Sequence, residues 1–171
     1  RAVGAGTRIF EVLDREPLIP HGKGEDVPAN AHGTIRFENV SFHYPTRPAA
    51  PILDGFSLEL KPGETVAIVG ESGGGKSSIH SLLMRYYDPV RGRVTFDDKG
   101  ESTLVEQLGT GLNGTVEDIK EFSTTSWRNL IGFVPQDPVL FTGTIASNIA
   151  YGNPDATREE IEAPAREANC E

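Results

Sequence analysis

The stretch Gly70-Glu71-Ser72-Gly73-Gly74-Gly75-Lys76-Ser77-Ser78, GESGGGKSS, decides how the rest of this sequence is read. Ahead of it, Thr65-Val66-Ala67-Ile68-Val69 is short, apolar and β-branched, the pattern of a strand buried on both faces. Behind it, Ile79, Leu82, Leu83 and Tyr86 recur at helical spacing until Asp88-Pro89 stops the run. Strand, glycine-rich turn and helix, in that order, are the context a phosphate-binding loop requires. Gly70, Gly73, Gly74 and Gly75 let backbone N–H groups close around an anion, and the positive end of the helix dipole, about half an elementary charge, reinforces them. On this reading Lys76 reaches the β- and γ-phosphates of a nucleotide, Ser77 ligates Mg²⁺ and Ser78 is placed at the α-phosphate, with Glu71 and Ser72 completing the loop. The blander reading, a glycine-rich turn with an exposed lysine, leaves the flanking strand and helix unexplained.

Composition narrows the remaining choices. A chain of 171 residues suits one domain, able to bury roughly two thirds of its unfolded surface. A formal net charge of −9 argues against nucleic acid as the main partner, because binding to a phosphate backbone needs a basic face. Cys170 is the only cysteine, so neither an intramolecular disulfide nor a thiolate zinc cluster is available. His21, His32, His43 and His80 show no ligand spacing. No apolar run approaches the roughly 20 residues that span a bilayer, and no signal peptide is recognisable.

Outward from the loop, residues 1–16 carry a helical stripe of Val3, Ile9, Phe10 and Leu13, ended by Pro17. Residues 17–33 have no apolar period and read as an extended linker. The helix opens without a cap, as a cut end would, or it docks on the domain as an ordinary N-terminal helix. Ile35, Phe37, Val40 and Phe42 predict a first strand, and Ile52–Leu60 a second that closes on the turn Lys61-Pro62-Gly63-Glu64. Tyr44, at the end of the first strand, is positioned either to stack on a base or to pack within its hairpin. After the loop's helix, Arg93–Asp97 reads as a strand and residues 98–117 as a surface insertion. Residues 118–127 resume compact sequence, Leu130–Val134 reads as another buried strand, and Asn148-Ile149-Ala150 as a short helix. Thr157 and Glu160 stand at capping-box spacing, and Pro164 predicts a kink or early stop in the helix they begin.

Taken together these residues resemble the ATP-binding cassette domains of exporter-type transporters in the multidrug-resistance (B) subfamily, over nearly the whole chain. AGTRIFEVLDREP, ending at Pro17, is similar to that family's link from its last membrane helix to the cassette. IRFENVSFHYPTRP, Ile35–Pro48, resembles its aromatic-loop strand and puts Tyr44 at the adenine-stacking position. GESGGGKSS matches its Walker A loop. IGFVPQDPVLFTGTIASNIAYG, Ile131–Gly152, resembles its Q-loop segment and places Gln136 where Mg²⁺ and attacking water are sensed; taken alone, Gln136 is an ordinary loop glutamine. Phe141–Tyr151 resembles the surface that meets the coupling helices of the membrane domain.

The resemblance implies an α/β fold, a P-loop NTPase core with an antiparallel β-subdomain, incomplete at its C-terminus: residues 1–33 follow a membrane domain and residues 34–171 form the amino-terminal part of the cassette. ATP and Mg²⁺ are the implied cofactors, and hydrolysis drives export in the full-length protein. The implied partners are the membrane domain of the same protein and a second cassette, with no nucleic acid. Glu171 precedes anything like the LSGGQ signature, the Walker B aspartate, the catalytic glutamate or the switch histidine, so this stretch alone is expected to be catalytically inactive. A truncated nucleotide-binding module is the alternative; a soluble P-loop kinase or GTPase leaves Tyr44, the Q-loop segment and the linker without a purpose. The resemblance implies an integral membrane protein with this domain on the cytosolic or matrix side. Linker and insertion are similar to those of mitochondrial half-transporters, while plasma-membrane and vacuolar relatives share the same motifs.

Overall fold

Apolar residues alternating along Gly33–Phe42 make it a strand, β1, and it lies within a four-stranded antiparallel sheet. The order is β2-β1-β3-β4, with β2 at Leu53–Leu60, β3 at Arg91–Asp98 and β4 at Val116–Asp118. The computed structural model describes residues 2–28, 31, 33–98 and 116–170. They divide into two units, Arg1–Gly132 and Phe133–Glu171.

In the first unit, β1 breaks strict alternation. Phe37 and Val40 are both buried although they stand three residues apart, which a two-residue period forbids. The register slips between them, and Asn39 enters the left-handed region at φ 50°. This irregularity returns Val40 and Phe42 to the core face. Opposite it, Gly92 has φ 73°, and a Cβ there would overlap the carbonyl oxygens of Glu38 and Asn39. Only glycine lets the two backbones pass this closely.

The core gathers Phe37, Val40, Phe42, Leu53, Val94 and Phe96 from the sheet with Ile79 and Leu82 from the helix α2 (Lys76–Leu83). Ile119, Phe122 and Trp127 complete it, the last on the short helix α3 (Thr124–Asn129). The expected linker is irregular but docked. Val27 is buried in the core, its amide donates to Ser126 Oγ at 2.8 Å, and Glu25 bridges to Phe122. Upstream of it, the helix α1 (Ala2–Leu13) forms as its stripe predicts.

Several expectations do not hold. Thr65–Val69 and Leu130–Val134 form no strand, and Val69 and Val134 are 88% and 91% exposed. A parallel strand obtains its hydrogen bonds only from neighbours alongside, and among the described residues none is paired with either segment. The helix α2 ends at Leu83, before Asp88-Pro89, because Arg85 turns left-handed at φ 49°. Asp98 belongs to β3, and Val116–Asp118 pairs with Thr95–Asp97, so the expected insertion narrows to residues 99–115, which lie outside the described residues.

The second unit holds the helices α4 (Ile145–Ile149) and α5 (Arg158–Glu167), with a 3-10 turn over Ala150–Gly152. Thr157 and Glu160 form the expected capping box, and hydrogen bonds from Thr157 hold the Glu160 carboxyl below its ordinary pKa. The helix runs through Pro164 and ends three residues later, at Glu167, rather than stopping at the proline.

Candidate functional site

The helix α2 opens directly out of the glycine-rich loop. Gly75 caps it at φ 84°, wedged so that a Cβ would stand 3.0 Å from Ile52 Cγ2 and 3.1 Å from Leu53 Cδ2. That fit requires glycine and anchors the loop on β2. No side chain caps the helix; the Ser78 amide donates to the Gly75 carbonyl at 3.0 Å, which leaves the Lys76 and Ser77 amides to meet an anion. Gly73 also sits at φ 84°, and the Gly74 amide donates to the Glu71 carbonyl at 3.1 Å, which curls Glu71-Ser72-Gly73-Gly74 into a tight turn. Gly70, Glu71 and Ser72 are exposed.

Lys76 folds back over this turn. Its ammonium donates to the carbonyls of Gly70 at 2.8 Å and Glu71 at 2.6 Å. An ammonium has three N–H donors, so two of them fix the side chain above the loop and the third is left for a phosphate oxygen. Ser77 is exposed beside it. Its hydroxyl is a hard oxygen ligand, and Mg²⁺ takes few protein ligands when phosphates and water supply the rest. Among the described residues no group of three or more His, Cys, Asp or Glu side chains is placed to hold a metal ion.

Tyr44 is brought to the same helix. Its hydroxyl lies 2.9 Å from Ser78 Oγ, and Ser78 is only 4% exposed. The ring is half-buried, edge-to-face with Phe42 at 5.0 Å and with Tyr87 at 5.2 Å. Tyr44 thus packs on its neighbours, as the hairpin reading has it, and its hydroxyl stands beside the last residue of the glycine-rich loop. A hydroxyl carries one proton and two lone pairs, so the bond to Tyr44 does not exhaust Ser78. Tyr87, the other half of the ring's support, was not among the expected site residues; its only signal in the sequence is a second aromatic after Tyr86. Replacing Tyr44 with phenylalanine keeps the ring and strands a buried hydroxyl. It should cost about 1–2 kcal/mol of stability and weaken ATP binding by a few-fold, read by urea unfolding and by titration. Unchanged values for both would mean that the bond to Ser78 holds nothing in place.

Gln136 falls in the second unit, exposed in an irregular stretch. There Asn148 ties the chain together: its side chain accepts from the Phe141 amide at 2.7 Å and donates to the Phe141 carbonyl at 3.0 Å and the Thr144 carbonyl at 2.9 Å. Phe141 stacks on Tyr151 at 4.3 Å and 11°. Val134, Val139, Leu140 and Ile145 around this knot are three-quarters exposed or more. A separate cleft of about 880 Å³ lies in the first unit between residues 12–21 and Phe42, Tyr86, Tyr87 and Arg128, and none of Gly70–Ser78 lines it.

The profile of the family described as ABC transporter matches residues 53–170. The chain is 51% identical over 171 residues to the ABC multidrug transporter mdr2 of Aspergillus fumigatus, covering 100% of this chain and 19% of that protein. It is 44% identical over 171 residues to the mitochondrial ATP-dependent permease MDL1 of Schizosaccharomyces pombe, covering 99% of this chain and 21% of the permease. Among solved structures, that of a bacterial Atm1-family ABC exporter with ATP bound matches with a TM-score of 0.77 at 36% identity, over 95% of this chain and 25% of that one. The chain thus spans about a fifth of the length of the curated relatives it matches.

Proposed function

Because the chain belongs to the ABC transporter family and has its α/β P-loop NTPase fold with an antiparallel sheet, we propose that it binds Mg-ATP as the nucleotide-binding part of an exporter whose transport is driven by ATP hydrolysis. The observation that carries this reading is the convergence on one helix of an uncapped N-terminus, the Lys76 ammonium and the Tyr44 ring. Gly70–Ser78 surround the phosphates, Lys76 bridges to the β- and γ-oxygens, Ser77 holds Mg²⁺, and Tyr44 covers the adenine. Ser78 stands near the α-phosphate while steadying Tyr44. Gln136 is the residue we assign to Mg²⁺ and the attacking water.

Mg²⁺, when bound, neutralises charge that develops on the transferring phosphoryl group. The chain's own residues supply positioning and fixed positive charge. Hydrolysis in this reading takes a second cassette, and the motion passes to a membrane domain of the same protein through the exposed apolar knot Phe141–Tyr151. Patches of that kind mark interaction surfaces. Residues 1–33 are the link from that membrane domain, and residues 34–171 the first part of the cassette. Among the described residues no helix is long and apolar enough to cross a membrane. Export is the direction that the multidrug and Atm1-family relatives support, and the mitochondrial permease is the relative that favours a mitochondrial membrane, with this domain on its cytosolic or matrix side.

Calorimetric titration of the chain with ATP and GTP, each with Mg²⁺ and with EDTA, tests the reading. The expected result is saturable binding that is tighter for Mg-ATP than for GTP and weakened by EDTA. Equal affinity for adenosine and ATP would show that the loop is not a phosphate site.

A further inference from the structure

The helix that carries Lys76 and Ser77 is eight residues long, about 12 Å from end to end. Its phosphate-facing end is held by the Gly75 fit and the Tyr44–Ser78 bond. At the other end the amides of Met84, Arg85 and Tyr86 close on the carbonyls of His80, Leu82 and Ser81 at 2.8, 3.0 and 2.8 Å, and the turn that follows is held from outside. The last carbonyls of a helix need partners beyond it, and here the side chains of α3 take the final carbonyl of α2 and the two that follow it. Trp127 Nε1 donates to the Leu83 carbonyl at 2.7 Å, Arg128 Nε to Met84 at 2.9 Å, and Arg128 Nη2 to Arg85 at 2.7 Å. Arg85 answers in the other direction. Its side chain is buried, and Nη1 donates to the carbonyls of Phe122 at 2.6 Å and Ile119 at 3.1 Å. The Arg128 guanidinium also lies 5.0 Å from the centre of the Tyr86 ring.

We propose that Arg128 is a positioning residue for the nucleotide site: by gripping the two successive carbonyls of Met84 and Arg85, immediately past the end of α2, it fixes the placement of Lys76 and Ser77 at the other end. The inference rests on the reading of the loop as an ATP site. The geometry is selective for arginine, because one planar fork spans two acceptors where an ammonium is a point charge. The positive charge lies at the negative end of the helix dipole, so it favours the same orientation that presents the positive end to phosphate. A short helix pinned at both ends has no freedom to slide. Released at one end, it pivots about the Gly75 contact and shifts its first turn relative to the phosphates, where displacements near 1 Å are costly.

The test compares Kd for ATP and for adenosine in the full chain as wild type, Arg128→Lys, Arg128→Ala and Phe37→Leu. The last is a core substitution in β1 that destabilises without touching the clamp. Arg128→Lys is expected to weaken ATP about five- to tenfold, a shift of the size that misplaced phosphate contacts produce, while adenosine changes less than about twofold. Phe37→Leu should leave the ratio of the two affinities at the wild-type value. The proposal is overturned if Arg128→Lys keeps the wild-type ratio, or if Phe37→Leu changes it equally at matched loss of stability. Should Arg128→Ala fail to fold, the lysine variant decides alone. A wild-type chain with no preference for ATP over adenosine would instead remove the ATP-site reading itself, which separates the two failures.

Discussion

A Lys76→Ala chain is expected to bind Mg-ATP roughly 10- to 150-fold more weakly than the wild type, the range for losing one charge-assisted hydrogen bond of about 1.5–3 kcal/mol. The argument is a count of donors. Two of the three ammonium N–H groups already hold the Gly70 and Glu71 carbonyls, and the proposed site gives the third to the triphosphate. Alanine removes the contact with the ligand and also releases the turn that shapes the loop, so the upper part of the range is the better expectation. Adenosine lacks the phosphates, and its affinity should stay near the wild-type value. Isothermal titration of both ligands reads the difference. An unchanged ATP affinity would mean that the ammonium serves only to brace the loop and would withdraw the phosphate role from Lys76.

Trp127→Ala is the substitution expected to cost the most stability. The indole is 1% exposed, stacked on Phe122 at 6.1 Å and 6° and edge-on to Phe96 at 5.5 Å. Truncating a buried tryptophan costs about 3–5 kcal/mol through lost burial and the cavity it leaves. The Leu83 carbonyl, deprived of its indole donor, adds about 1 kcal/mol. A small domain has only about 5–15 kcal/mol in total, so the variant should be largely unfolded at modest urea concentrations. Trp127→Phe keeps most of the packing, loses the N–H, and should fall between. The two midpoints together separate packing from hydrogen bonding. A Trp127→Ala midpoint within the range of a surface substitution, about 0.5 kcal/mol, would show that this cluster is not the core.

What could be read in the sequence was local. Lys76 and the glycines before it announce a turn and a helix start through their own backbone preferences, and Thr157 with Glu160 announces a cap; the structure has both. The strand β1 was read from Ile35, Phe37, Val40 and Phe42, but the irregularity between Phe37 and Val40 came only with the structure. Thr65–Val69 and Leu130–Val134 have the composition of buried strands, but a strand is completed by neighbours that composition does not name. The clamp on α2 could not be seen either. Trp127 and Arg128 reach carbonyls 44 and 43 residues upstream, a separation at which no periodicity or motif carries a signal. Gln136 was named only because its neighbours resembled a family, and Tyr44 only from its place at a strand end ahead of the glycine-rich loop; as single residues they have no distinguishing pattern.

The antiparallel pairing of β3 with β4 has one more consequence. Asp97 lies opposite Val116, so the chain leaves the sheet and rejoins it on adjacent strands, whatever the length of the segment between. Closing such an excursion becomes dearer only with the logarithm of its length, about 0.6 kcal/mol for each doubling. The connection between β3 and β4 can therefore lengthen, shorten or take up foreign sequence over evolutionary time while their pairing is kept. It is also the natural place for an engineer to splice in an epitope or a fluorescent reporter.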